Sequence, residues 1–412
     1  MKRMESLKRA AAMVLALPVL LGLGACGGIG SIPISPPPTC VTNCPPSPEF
    51  LYATSPDAIV GFKIDPSTGA LGSPLTTPGP NQSLGMVATI TLGRLYVSDF
   101  LNDKVEGFSI NSSTGGLTAV TGSPFSLGGT PPGAGGVSPF VSGGSKLYVT
   151  DLNAGAVSAF TYDSLTGTLS TVAGSPFPAG NTPVHAVLAG FQDQFLYVSN
   201  LNDSAGGISA FTVDFNTGAL TPIPGSPYAT GTAGSFPGPS ALVIGGSGQN
   251  ILYVALVGTA NANNKIAAFS IDANTGALTA IPGSPFPTGN APQYMALVPV
   301  TLVGNTEFLY TANIQDKTIS AFIVDGSSGT LTPLSSSPYH GATSLGGLAV
   351  TPTGTSTGNF FLYAADPQAK TVIAFTIDGT TGALSPVSGS PFPAGKAPAL
   401  LTVANVPATS GL

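Results

Sequence analysis

The sequence predicts an all-β fold, a seven-bladed β-propeller with four-stranded blades. Three observations carry this. A Leu-Tyr pair recurs seven times, with Tyr at 52, 96, 148, 197, 253, 310 and 363, at spacings of 44 to 57 residues. Each copy is followed by a second β-rich run: Ile59–Ile64, Val105–Ile110, Val157–Tyr162, Ile208–Val213, Ile266–Ile271, Ile319–Val324 and Val372–Ile377. Each run then meets a turn of the form Thr/Ser-Gly-x-Leu, with Gly at 69, 115, 167, 218, 276, 329 and 382. A supersecondary unit repeated at a period near 50 is the signature of a propeller.

The stretch Leu252 to Pro299 shows one unit complete. Leu252-Tyr253-Val254-Ala255 and Ile266 to Asp272 are short and rich in β-formers. Ala277 to Ile281 and Tyr294 to Pro299 are two more such runs, and Gly, Pro and Asn bound them all. Runs this short between breakers read as strands. They lack clean in/out alternation because each blade is covered on both faces by its neighbours. In Asp272-Ala-Asn-Thr-Gly276 the carboxylate is placed to accept amides ahead of it, and the glycine supplies a positive φ to close the hairpin. A Ser-Pro pair, with Pro at 124, 176, 227, 285, 338 and 391, falls after the run that follows the Thr-Gly turn, Ala277 to Ile281 in this stretch. It reads as the end of the outermost strand, where proline blunts an exposed edge.

The two ends of the repeat complement each other. Before Leu51-Tyr52 there is no innermost strand, and Ala399 to Ala404 has no Leu-Tyr partner after it. The C-terminal strand therefore pairs with the first three strands and closes the ring at seven blades. The propeller spans 50–405, and 406–412 is a tail.

Residues 1–25 form a leader. Lys2, Arg3, Lys8 and Arg9 make a basic start, and Ala10 to Leu21 is an apolar core too short to span a bilayer. Leu23-Gly24-Ala25-Cys26 resembles the bacterial lipobox, which implies a lipid on Cys26 as the mature N-terminus. Gly27-Gly28 follows, without the Asp that signals inner-membrane retention, so a Gram-negative host would place the protein on its outer membrane. Residues 26–49 are a Pro-, Ser- and Gly-rich tether. It holds Cys40 and Cys44, which an oxidising compartment would join as a small disulfide loop.

Composition narrows the partners. The chain has 54 Gly and 39 Pro, no Trp, and 7% charged residues, far below the usual quarter. Removing 1–25 takes away four basic residues and Glu5, leaving 8 basic and 17 acidic side chains, a net charge of −9. That balance excludes nucleic acid as a partner and gives the propeller no attraction to an anionic membrane. The lipid alone makes the membrane contact.

The Leu-Tyr-Val-Ser/Thr-Asn/Asp strand, the Ser-Ala-Phe-x-Ile-Asp strand, the Thr-Gly-x-Leu turn and the ring closure resemble the seven-bladed lactonase family, which includes 6-phosphogluconolactonase and carboxy-muconate cyclase. Tyr148-Val-Thr-Asp and Tyr197-Val-Ser-Asn also resemble the YVTN-type propellers of cell surfaces. The resemblance covers nearly all of 50–405. It implies a functional face where second strands turn into third strands and outermost strands lead to the next blade. It also implies a Pro-Arg-His sequence entering an inner strand. Here one repeat reads Pro183-Val184-His185, with Val in place of Arg. The matching positions elsewhere read Pro239-Ser240-Ala241, Pro292-Gln293-Tyr294 and Pro398-Ala399-Leu400.

Candidate site residues follow from that face. His185 and His340 are the only histidines, and each is a candidate general acid or base. The bland alternative for either is a loop histidine bonded to backbone. Asp99, Asp151, Asn200, Asn313 and Asp366 follow the Leu-Tyr strands in register. They either ring the funnel as ligands for a cation or polar molecule, or cap the local turns. Gln293, Lys317 and Lys396 are further candidate ligand contacts. After Cys26 the single Arg is Arg94, in a turn on the opposite face, so the funnel lacks the bidentate donor that suits a phosphate. No metal cluster, phosphate-binding glycine loop or cofactor motif stands out. Two readings remain. One is a tethered surface propeller that binds a small molecule, a polymer or a protein at its funnel face. The other is a lactonase-type hydrolase with His185 as general base.

Overall fold

The computed structural model describes residues 47–89, 93–129, 131, 133–139, 145–202, 207–230, 239–246, 248–257, 264–298, 306–354 and 358–406. The leader, Cys26 and the Cys40/Cys44 pair lie outside the described residues. Seven sheets follow one another around a ring, each with its strands in the order innermost, second, third, outermost. The Leu-Tyr pairs sit in the second strands, among them Lys146–Asp151, Phe195–Asn200 and Ile251–Leu256. The closing strand, Leu401–Asn405, is the innermost strand of the first blade and pairs antiparallel with Glu49–Ser55.

Both faces of each second strand are buried, which explains the missing alternation. Leu147 and Val149 pack with Tyr96 of the preceding blade. Tyr148, between them, packs with Leu188, Leu196 and Phe211 of the following blade. Burying a ring of this size contributes about 1.5–3 kcal/mol. The recurrent tyrosine also does something directional. Tyr148 donates its hydroxyl proton to the Gly218 carbonyl at 2.9 Å, and Gly218 belongs to the Thr-Gly turn of the next blade. The same bond joins Tyr52 to Gly115, Tyr96 to Gly167, Tyr197 to Gly276, Tyr253 to Gly329 and Tyr310 to Gly382. Tyr363 to Gly69, at 2.9 Å, brings the last blade back to the first.

The glycine is required twice over. At Gly276 φ is +72°, and a methyl there would lie 2.5 Å from the Phe195 ring. The turn itself forms as its sequence predicts: Asp272 Oδ1 accepts the amides of Asn274 and Thr275.

The Ser-Pro pair is not at the end of the outermost strand but in its middle. In the fifth blade Leu278–Ala280 pairs with Phe269–Ile271, and Phe286–Pro287 pairs with Lys265 and Ile266. Between them the strand bulges away, and Ser284 Oγ accepts the Ala268 amide at 2.9 Å. The hydroxyl replaces the carbonyl that a straight strand would have presented. Ser123, Ser175, Ser226, Ser337 and Ser390 do the same in five other blades. The exposed edge is still blunted, because a broken strand is a poor template for a second chain.

Candidate functional site

The second strands end where the innermost strands begin. Asn200 stands opposite Pro183, and Asn313 opposite Pro292. A register shift follows each proline, so the residues after it leave the regular ladder at the funnel mouth. This places Val184, Ser240 and Gln293 in equivalent positions on three successive blades.

His185 is 2% exposed. Its Nδ1 accepts the Leu242 amide of the neighbouring innermost strand at 3.2 Å. An acceptor Nδ1 puts the proton of the neutral ring on Nε2. His185 thus links two blades at the funnel mouth and, in this tautomer, acts as a donor at Nε2. A general-base role needs the other tautomer, which would set two N–H groups against each other. His340 is exposed and lies two blades on, next to Tyr339, which bridges the third strand at Ile319. His185 lies in an innermost strand and His340 just beyond an isolated bridge at the outer edge of another blade, and the two are not brought together.

The five Asx residues are all buried, between 0% and 5% exposed, and they turn to groups of the adjoining loops and third strands. Asp99 accepts from the Asn102 side chain at 2.7 Å. Asn200 donates to Ser209, and Asn313 donates to Thr318 and Ser320. Asp366 is saturated: it accepts the amides of Thr343, Ser344 and Ala369 and the hydroxyls of Thr343 and Ser344. Burial pushes its carboxyl up, but those donors outweigh it and hold it below the usual range. In the fifth blade Leu256 takes the place of the Asx residue, opposite Pro239.

Asp151 is the exception. One oxygen accepts the Ala154 amide at 3.0 Å, and the other, Oδ2, has no partner. Facing it from the second blade is Asp103, which the sequence reading missed. Asp103 is 2% exposed, and neither of its carboxylate oxygens has a well-formed hydrogen bond, the Gly129 amide approaching without the geometry of one. Burial and the charge of Asp151 push its carboxyl up to about 6, against the opposing pull of the Gly129 amide. The available signal was an Asp at the turn position that other blades fill with Gly155, Lys317 or Lys370, all at positive φ. Nearby in the second blade, burial and the charge of Asp99 raise Glu106 to about 7.

The candidate cations are peripheral. Lys317 is exposed, and Lys396 forms a solvent-facing ion pair with Asp57. Arg94 points to the opposite face, where it donates to the Leu165 carbonyl in the turn of the third blade. Gln293 is buried in its innermost strand. Among the described residues no three of His, Cys, Asp and Glu stand close enough to hold a metal ion, and no helix is long and apolar enough to cross a membrane.

No curated protein sequence matches the chain. Solved structures do. The periplasmic gluconolactonase of Pseudomonas aeruginosa superposes with a TM-score of 0.64 at 16% identity, over 88% of this chain and 100% of that one. Two Bacteroides proteins with a provisional 6-phosphogluconolactonase assignment behave alike. The one from B. uniformis gives 0.65 at 19% identity, over 87% of this chain and 99% of that one. The one from B. fragilis gives 0.64 at 16% identity, over 89% and 99%. At these identities the likeness speaks for the fold. The model of the family described as lactonase, 7-bladed beta-propeller, matches residues 138–345, and with seven blades closed by the C-terminal strand, the chain belongs to that family.

Proposed function

We propose that this chain is a binding propeller of the lactonase family whose funnel face takes an uncharged polar ligand. A lipid on Cys26 would hold it on the extracytoplasmic side of a bacterial membrane. One observation carries the reading of the face. Where the family resemblance implies Arg, the blades offer Val184, Ser240, Gln293 and Ala399, and of the candidate lysines Lys317 is exposed and Lys396 is ion-paired. A phosphosugar without a fixed cation to meet it binds weakly. Neutral hydroxyls and carbonyls need no such partner. The leader and the periplasmic neighbour support the compartment.

A second reading has a specific observation behind it: Pro183-x-His185 sits at the funnel end of an innermost strand, as the lactonase motif requires. In that case His185 would work by donating from Nε2 to the lactone, or by first exchanging its tautomer.

The two are separated by measuring hydrolysis of gluconolactone and of its 6-phosphate by the purified protein, with sugar binding followed by calorimetry. The binding reading expects no turnover above the spontaneous rate, and uptake of the neutral compounds in preference to the phosphorylated ones. Turnover that falls by roughly the 10²–10⁴ typical of a lost acid–base group in His185→Ala would establish the hydrolase instead. His185→Asn, which keeps an acceptor for the Leu242 amide, guards against a merely unfolded variant. For the anchor, metabolic palmitate label should be present in the wild type and absent from Cys26→Ala.

A further inference from the structure

We propose that Asp103 and Asp151 form a calcium site buried in the seam between the second and third blades. The seventh blade shows how such a carboxylate is otherwise satisfied. There, the connection into the innermost strand presents Thr343 and Ser344, whose amides and hydroxyls satisfy Asp366. In the third blade the described residues of the corresponding connection that lie against Asp151 are Gly129 and Gly133. A second carboxylate, Asp103, enters from the neighbouring blade instead.

Three carboxylate oxygens are buried without a well-formed hydrogen bond: both of Asp103 and Oδ2 of Asp151. The two residues are 2% and 1% exposed. Unpaired buried charge of this kind is costly and calls for a counter-ion.

The glycines leave room for one. A methyl on Gly129 would lie 2.1 Å from Asp151 Oδ2 and 2.8 Å from Asp103 Oδ2. A methyl on Gly133 would lie 2.4 Å from Asp103 Oδ1 and 2.7 Å from Asp151 Oδ1. Each pair of facing oxygens thus stands within about 5 Å, the span that a calcium ion bridges with bonds of roughly 2.3–2.6 Å. The donors are all oxygen, which selects a hard cation, and two carboxylates match a double positive charge. The two carboxylates are buried, and magnesium gives up its water reluctantly, so calcium is the better fit. With two carboxylates and the remaining positions left to backbone carbonyls and water, the affinity belongs to the extracellular range of about 10⁻⁴–10⁻³ M.

The site would tie together two blades whose seam otherwise carries like charges. It is tested on the full-length protein, stripped with EDTA, by calorimetric titration with calcium chloride and by thermal unfolding with and without about 10 mM calcium, a saturating level for that range. The expected result is one calcium per chain, a raised melting temperature, and a smaller response to magnesium. Asp103→Asn and Asp151→Asn should each weaken binding at least about tenfold, as loss of a charged ligand does. Gly129→Ala should do so too, by filling the space without changing any charge; should either Asn variant fail to fold, this variant still tests the site. Wild-type protein that takes up no calcium at about 10 mM would overturn the proposal. So would variants that bind like the wild type. If wild type ignores calcium and Asp103→Asn raises the melting temperature to the same extent in EDTA and calcium, the two carboxylates share a proton and hold no metal.

Discussion

Removing one hydroxyl from Tyr363 tests how the ring is held. Tyr363 is fully buried, and its phenol donates to the Gly69 carbonyl at 2.9 Å. Phenylalanine keeps the ring and its packing, so the loss is the bond alone. A typical hydrogen bond contributes about 0.5–1.5 kcal/mol, and a buried acceptor left unsatisfied costs about 1–3 kcal/mol. Gly69 is buried, with its amide already given to Asp65, so the upper range applies. We predict a loss of about 2 kcal/mol for Tyr363→Phe, read as a shift in the urea midpoint. The control is Lys396→Ala, which removes an exposed ion pair with Asp57 and should cost well under about 1 kcal/mol. Tyr197→Phe, an interior seam with the same bond at 2.7 Å, should cost as much as Tyr363→Phe. An unchanged midpoint for both tyrosine variants would refute the directional role of the hydroxyl and leave only ring burial. A loss at Tyr197 with none at Tyr363 would mean that the first and last blades are held by the strand pairing alone.

Two further outcomes concern the turns and the buried acids. Gly276→Ala and Gly395→Ala both place a side chain at positive φ, but only the first meets anything: Phe195 at 2.5 Å, against open space at Gly395. Gly395→Ala should cost about 1 kcal/mol of backbone strain, and Gly276→Ala at least about 2 kcal/mol more from overpacking, measured as the difference in urea midpoint. Glu49, which accepts from Thr353 across the ring closure, is raised by burial to about 7 from 4.5. Its folded form holds a proton that the unfolded chain releases, so this contribution is full below pH 4.5 and is lost as pH rises through about 7. The shift corresponds to about 3 kcal/mol. Glu49→Gln should therefore be stabilised relative to wild type at pH 8 and not at pH 4.5; a difference independent of pH would contradict the assignment.

Much of the frame was legible because each blade repeats its chemistry. The tyrosines at 52 to 363 and the glycines at 69 to 382 recur in step. What the pattern did not show is that each tyrosine reaches the glycine of the next blade, between 63 and 79 residues away within the ring. The strand periodicity placed Ser284-Pro285 correctly in the chain and wrongly in the strand. Its hydroxyl's partner, the Ala268 amide, lies on a different strand, where no local rule looks. The Asx residues were readable as either ligands or caps, and their surroundings differ: Thr343 and Ser344 hydrogen-bond Asp366, whereas Asp151 has Gly129 and Gly133 beside it and faces Asp103. That difference sits in loop residues with no periodicity, which is why Asp103 escaped notice. His185 was identifiable as a candidate from Pro183-x-His185, but its bond to Leu242 comes from another blade and was invisible in sequence.

The functional account rests on the state of that one ring, and nitrogen NMR of the histidine side chains reads it directly. The chain has two histidines, so a His340→Asn variant labelled in the imidazole nitrogens gives a spectrum of His185 alone. The account predicts a neutral ring with Nδ1 unprotonated and acting as acceptor and the proton on Nε2, unchanged by added gluconolactone. A proton on Nδ1, with Nε2 bare and shifting when the lactone is added, would contradict it and make His185 the base of a hydrolase.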